Sequence, residues 1–344
     1  MSHSASLSSF AALSLALVSH LALGTPAAAE QTGKDDQVDR PKQIVMVSFD
    51  GAGDNLLWEK SRAIAARSGA HFTYFLSCTN LIDRAARDSY KAPDRKAGRS
   101  NVGFAPTAAD AAARLDQIWK AHQEGHEIAS HACGHFDGAE WTSADWRQEF
   151  ESFNRVLLDA WQANGVGDRK PEGWETFVTS GITGFRAPYL SQSDALTTAA
   201  REAGFAYDAS LVTRGPLLPD MDDKLARFGL PLIPEGPQNR RIIAMDYNLF
   251  VRHSGGIDNP SNASTFEERA YAAFKAAFDA QYQGDRIPLQ IGLHFVEMNA
   301  GAYWKAMERL VDDVCRKPDV ACLTYAETLN RLRGDDQPKQ SSGL

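Results

Sequence analysis

The 344-residue sequence lacks a long apolar run, a basic stripe and any CxxC pair. Each absence excludes a class of protein. A membrane-spanning helix needs about 20 uninterrupted apolar residues, and the most apolar stretch, Phe10 to Leu23, is broken by Ser14, Ser19 and His20. A net charge of −8, with basic residues only in short pairs such as Arg240 and Arg241, argues against a nucleic-acid partner. Without CxxC, zinc-ribbon and dithiol redox readings fall away. No internal repeat is apparent, so a solenoid or propeller is not indicated.

What is present points to an exported globular chain. The apolar stretch is followed by Ala27, Ala28 and Ala29, the small residues of a cleavable signal peptide, although its start has no Lys or Arg. We expect a signal peptide over 1–29, a flexible segment over 30–40, one domain over 41–333 and a flexible tail over 334–344. The mature protein is then periplasmic or extracellular. Four cysteines, Cys78, Cys133, Cys315 and Cys322, permit disulfides there. Cys315 and Cys322 flank a turn and can bridge; Cys78 and Cys133 read equally as a bridge or as small buried residues.

Short β-rich runs alternate with amphipathic helical patterns. The runs cover 44–50, 71–77, 126–131, 184–188, 205–212, 241–250, 289–295 and 320–325. Helices are expected after Thr107, after Thr142 and from about Thr265 to Tyr282. Regular alternation predicts a parallel α/β sheet, closed into a (β/α) barrel, with a doubly wound open sheet as the alternative. Three stretches, 84–106, 163–182 and 213–241, interrupt the pattern and are read as long loops.

The most specific chemical signal is HEIASHACGH, which places His131 at the end of a strand and His135 four residues later. If the chain turns helical after the strand, both rings face one way and suit a divalent metal. Other strand ends deliver Asp50, Arg186, Asp208 and His294 to the same rim, where barrel enzymes do their chemistry. Singly, each is as readily an ordinary structural residue; their shared location makes them a candidate site.

These residues resemble the polysaccharide deacetylase family, carbohydrate esterase family 4 with its NodB homology domain. SFDGA (48–52) stands where that family reads TFDDG, and GHEIASHACGH carries its HxxxH. Arg186, Pro188 and Tyr189 match RxPY, FAYDAS matches its Asp motif, and Leu293 with His294 closes the series. The resemblance covers about 41–333, and the last part looks most like the chitin-deacetylase branch. It implies a distorted (β/α) barrel that hydrolyses N-acetyl groups on a carbohydrate and releases acetate. It also implies a divalent metal, zinc or another ion such as cobalt, on His131 and His135. Asp50 would be the general base, Arg186 its orienter and Tyr189 N–H the oxyanion donor. His294 would be the general acid, oriented by Asp208.

Position 51 departs from the pattern. The family's third metal ligand is an Asp there, and this chain has Gly51. Asp54 is the first candidate to replace it and Asp246 the second; a two-histidine or metal-free site are the other outcomes. Alternatives of function are a non-sugar amide hydrolase and a carbohydrate-binding pseudoenzyme. Trp304 and Tyr303 either line a sugar subsite or are buried in a helix. His71, His122 and His126 are read as structural, and the sequon at Asn262 is given no weight.

Overall fold

The computed structural model describes residues 40–222 and 224–334, and its strands curl into a barrel that closes on one isolated bridge. In chain order the elements are β1 (Gln43–Gly51), α1 (Asn55–Ser68), β2 (Phe72–Leu76), α2 (Ala108–Gln123), β3 (Glu127–Ser130), α3 (Ser143–Ala163) and the single turn α4 (Trp174–Thr176). They continue with β4 (Gly184–Phe185), α5 (Asp194–Glu202), β5 (Tyr207–Thr213), β6 (Ala226–Glu235), β7 (Arg240–Ile243) and α6 (Asp246–Ser254). The last are α7 (Ala263–Gln283), β8 (Leu289–His294), α8 (Met298–Val314), β9 (Val320–Cys322) and α9 (Tyr325–Arg333). The sheet runs β7-β6-β5-β4-β3-β2-β1-β8, with β9 beside the first residues of β1. All neighbours are parallel except β6 and β7. A bridge from Met245 to Gly292 joins the open ends. This is a distorted (β/α) barrel.

The helices start where their caps dictate. Thr107 caps α2 through Asp110 N–H, and Thr142 forms a reciprocal capping box with Asp145 at the head of α3. Helix α3 then buries Trp146, Phe150, Phe153, Leu157 and Trp161, one stripe at helical spacing, against the sheet. β1 is buried along almost its whole length because it lies centrally between β2 and β8.

Two expectations are corrected. The run 241–250 is not one strand: β7 stops at Ile243 and α6 begins at Asp246, whose carboxylate suits a helix N-terminus. The stretch 213–241 is not all loop, since it holds the ten-residue β6. Pro231 and Pro234 disguise it, but at Pro231 the ladder uses only the carbonyl, which accepts Ala244 N–H at 2.9 Å. The segments expected as signal peptide and flexible N-terminus lie outside the described residues apart from Arg40, as does the tail beyond Gly334. Among the described residues no helix is long and apolar enough to cross a membrane.

Both cysteine pairs are bridged, Cys78 to Cys133 and Cys315 to Cys322. Three histidines away from the strand-end rim, His71, His122 and His126, are held by pairing or packing. His71 pairs with Glu327 at 2.7 Å, and the His122 ring packs on Phe177. His126 is buried, and its Nδ1 accepts the N–H of Phe72 at 3.1 Å.

An accepting nitrogen carries no proton, and burial together with the nearby His71 holds the His126 pKa at about 4. In the unfolded chain the value is about 6.5, so between these pH values the unfolded state binds the extra proton. Stability from this group is complete above about pH 6.5 and falls by roughly 3 kcal/mol as pH drops towards 4. Urea unfolding of wild type and His126→Gln should therefore show a stability gap at pH 7 that narrows at pH 4.5. A gap that is constant with pH would refute this.

Candidate active site

The site lies at the carboxyl ends of the strands, and the parallel register assembles it. Asp50 and His294 are Cα partners at the ends of β1 and β8. In parallel neighbours such a pair projects to the same face. Arg186 follows β4, and its N–H binds the carbonyl of Ser130 at 2.9 Å, which sets it beside His131 after β3.

Arg186 is fully buried. Its Nη1 donates to Asp50 Oδ1 at 2.8 Å and to Ser48 Oγ at 2.9 Å, its Nη2 to the Tyr325 hydroxyl at 2.7 Å, and its Nε to the Ala209 carbonyl at 3.1 Å. The guanidinium also lies 4.1 Å from the centre of the Phe75 ring. Burial pushes the Asp50 pKa up, but Arg186, His131 and His294 outweigh it, and the carboxyl sits below its ordinary range. Asp50 is a carboxylate at neutral pH.

His131 is buried, and its Nδ1 bonds to the carbonyl of Arg186 at 2.7 Å. A carbonyl only accepts, so Nδ1 carries the proton and Nε2 is a bare lone pair. That Nε2 has no partner. Burial, offset in part by Asp50, takes the His131 pKa down to about 3, and burial lowers that of His135 as well. Both rings are neutral, with centroids 5.0 Å apart. The expected helical turn between them is absent. The chain from His131 to His135 is irregular, with Ala132 and His135 in the left-handed region at φ 56° and 55°. Buried Glu149 of α3 holds this turn, its Oε1 accepting the N–H groups of Cys133 at 3.0 Å and Gly134 at 3.1 Å. Tyr90 adds its hydroxyl to the same carboxylate.

His294 is oriented by Asp246, not by Asp208. Asp246 Oδ1 lies 2.7 Å from His294 Nδ1, and its Oδ2 accepts the His294 N–H at 2.8 Å. Burial opposes protonation of His294, but Asp246 and Asp50 win, and its pKa is raised. Asp208 instead accepts from the backbone and hydroxyl of Ser210, whose Oγ takes the N–H of Ala187, and its second oxygen faces Arg227. It is a fully buried brace for the segment after Arg186, with a pKa raised by burial. The sequence signal missed for Asp246 is an Asp directly after the apolar run IIAM.

Tyr189 is exposed, with φ 58° and its ring 5.0 Å from that of His135. Asn101 ties the long insertion to this rim, binding the carbonyls of Gly134 and His135 and the Tyr189 hydroxyl. Trp304 and Tyr303 are buried, so neither offers a face to a sugar; Trp304 Nε1 binds the His294 carbonyl at 3.0 Å.

The donor chemistry fits a divalent ion held by two neutral imidazoles, one with an unpartnered buried lone pair. Gly51, at φ 92°, contributes no side chain. Asp54 caps α1, its Oδ1 accepting Leu56 and Leu57 N–H at 2.8 and 3.0 Å. Among the described residues no group of three or more His, Cys, Asp or Glu side chains is arranged to hold an ion.

Two cavities meet over this centre, and Asp50, Val102, His135 and His294 border both. One, of about 610 Å³, runs past Asp54, Asn55, Asn80 and Asp110. The other, of about 470 Å³, runs past His131, Tyr189, Leu190, Ile243 and Met245.

Residues 37–207 match the family model described as polysaccharide deacetylase. The chain belongs to the polysaccharide deacetylase family. No curated protein sequence matches it. Among solved structures it is similar to one assigned as a polysaccharide deacetylase in Pseudomonas aeruginosa PAO1, with 16% identity and a TM-score of 0.53, covering 87% of this chain and 93% of that one. It is similar also to one so assigned in Mycobacterium smegmatis, with 16% identity and a TM-score of 0.51, covering 89% and 96%. These likenesses concern the family's barrel fold.

Glu149 gives a test of how the deacetylase rim is built. Glu149→Ala leaves two buried N–H groups without an acceptor and should cost roughly 3–5 kcal/mol, whereas Glu149→Gln keeps an acceptor oxygen and should cost about 1–2 kcal/mol. Urea midpoints measure both. Equal losses would show that the acceptor oxygen does not hold the turn.

Proposed function

We propose that this protein is an exported, metal-dependent hydrolase that removes N-acetyl groups from a carbohydrate and releases acetate. The observation that carries the reading is the juxtaposition of an ionised Asp50, two neutral imidazoles and an Asp246-backed His294 on one strand-end rim. Its two disulfides suit the oxidising compartment that export implies.

His131 and His135 are the residues that would hold the ion, zinc by the preference of imidazole nitrogens, with cobalt as a substitute. When bound, such an ion polarises the amide carbonyl and lowers the pKa of water from about 15.7 towards 7. The protein's own groups do the rest. Asp50, kept ionised by Arg186, accepts the proton of the attacking water. The Tyr189 N–H is available to the oxygen of the tetrahedral intermediate. His294 donates a proton to the departing nitrogen, and Asp246 both fixes its ring and favours its charged form. Hydrolysis consumes one water per C–N bond and yields acetate and an amine.

The test uses the purified mature chain, bound metal measured directly, and acetate release from N-acetylglucosamine oligomers with and without chelator. Acetate should appear with Zn²⁺ or Co²⁺ and be lost with chelator or in His131→Ala. No acetate from any acetylated sugar under these conditions would sink the reading.

The acid–base assignment makes a second prediction. His294 faces the charged groups Asp246, Asp50 and Arg186. Asp246→Asn removes the charge that raises its pKa, so the alkaline limb of the rate profile should move to lower pH and kcat should fall roughly 10²–10⁴-fold. Asp208→Asn should leave the alkaline limb in place. A limb that moves with Asp208 and not with Asp246 would reverse the assignment.

A further inference from the structure

The two cavities that meet at the catalytic centre differ in chemistry, and the difference bears on which end of the substrate enters each. The larger arm is the more polar of the two, although Leu56, Phe104, Pro106, Phe295 and Val296 also wall it. Asp54 and Asp110 line it, with Asn55 and Asn80 between. Side chains of this kind suit the hydroxyl groups of a sugar and the ammonium group that hydrolysis creates. The smaller arm carries Ala187, Leu190, Ile243 and Met245 on its walls, with the rings of Tyr189 and Tyr247 at its mouth. Beyond the catalytic groups its polar side chains are those of Asn101 and Asn248 and the two tyrosine hydroxyls. Of these, the Asn101 amide is already spent on the His135 carbonyl and the Tyr189 hydroxyl.

The groups that would receive the carbonyl are not shared equally. Tyr189, whose N–H would donate to the carbonyl oxygen, and His131, whose bare Nε2 would hold the ion that polarises it, border only the apolar arm, while His135 and His294, the proton donor to nitrogen, border both. A substrate amide placed with its carbonyl towards His131 and Tyr189 therefore directs its acyl carbon chain into the apolar arm and its nitrogen towards the polar one. Val102, from the insertion pinned by Asn101, stands between the arms. An acetyl group ends at one methyl. The cavity of about 470 Å³ also takes in the catalytic centre, and its walls beyond Asp50, His131, His135 and His294 are mostly apolar side chains that extend past the room one methyl requires.

We infer that the apolar arm lined by Leu190, Ile243 and Met245 is an acyl subsite, and that the enzyme cleaves N-acyl groups longer than acetyl from amino sugars. The reaction is unchanged in balance. The oxygen of one water bonds to the acyl carbon, the C–N bond breaks, one water proton goes to nitrogen, and a fatty acid leaves in place of acetate. Each methylene buried in the arm adds apolar area removed from water, enough for about a fourfold gain in kcat/KM.

This inference rests on the hydrolase reading of the same site, and the experiment separates the two. The full mature chain, supplied with Zn²⁺, is assayed on a glucosamine oligomer carrying N-acetyl, N-butanoyl or N-hexanoyl groups, with release of each acid measured. The expected result is a kcat/KM for hexanoyl equal to or above that for acetyl. A lower hexanoyl value overturns the acyl subsite and leaves deacetylation standing; release from none of the three overturns the hydrolase reading itself. Ile243→Trp, which places an indole in the arm, should cut the ratio of hexanoyl to acetyl kcat/KM at least tenfold. An unchanged ratio would mean that the arm receives sugar rather than acyl chain.

Discussion

One buried guanidinium organises this rim. Arg186 reaches Asp50, Ser48, Tyr325 and the Ala209 carbonyl with its side chain, while its own carbonyl fixes the ring of His131. The side chain therefore decides the charge of the candidate base, and the main chain decides which nitrogen of His131 is bare. Burying a cation and a carboxylate together is expensive in desolvation, and the pair breaks even only when the remaining hydrogen bonds are made. Here Ser48, Tyr325 and Ala209 make them, and Phe75 covers one face of the cation. The packing of the barrel interior follows, since Tyr325 also binds Gln290 and stacks on Tyr207, whose hydroxyl meets buried Glu127.

Much of this rim is legible in the sequence. A strand of a parallel sheet is buried on both faces, so a charged side chain at its carboxyl end stands out against the run before it. Asp50, His131, Arg186 and His294 all announce themselves that way. The orienting carboxylate is not legible in the same sense. Asp208 and Asp246 both follow apolar residues, and only the closing of the barrel, through the Met245 to Gly292 bridge, shows which one comes beside His294. β6 is hidden by something else: proline reads as a breaker wherever the partner of its missing N–H is unknown. The turn at 131–135 misleads because side chains four apart suggest a helix, whereas a carboxylate from α3 and a disulfide impose another geometry on the same residues.

The site also shows how a family pattern is kept and altered together. The candidate base Asp50 and candidate acid His294 are each bonded to an orienting partner, Arg186 and Asp246. Position 51, where the family reads an Asp, holds a glycine in the left-handed region that borders the larger arm, and Asp54 is engaged in starting α1. The glycine at position 51 and Val102, which borders both arms of the cleft, thus lie at the end of β1 and in the long insertion.

The bond between Cys78 and Cys133 has a consequence for local unfolding. It joins residues separated by 55 positions, and the ring so closed contains the insertion and α2 and ends inside the histidine turn. Closing a loop of that length removes chain entropy from the unfolded ensemble, by roughly 4 kcal/mol in the loop-closure model. The exposed insertion can then open and reclose as a small cooperative unit, as surface segments do, without carrying the end of β2 away from His131 and His135. Insertion and histidine turn belong to one continuous stretch of chain, and the cross-link anchors both of its ends beside the strand-end rim.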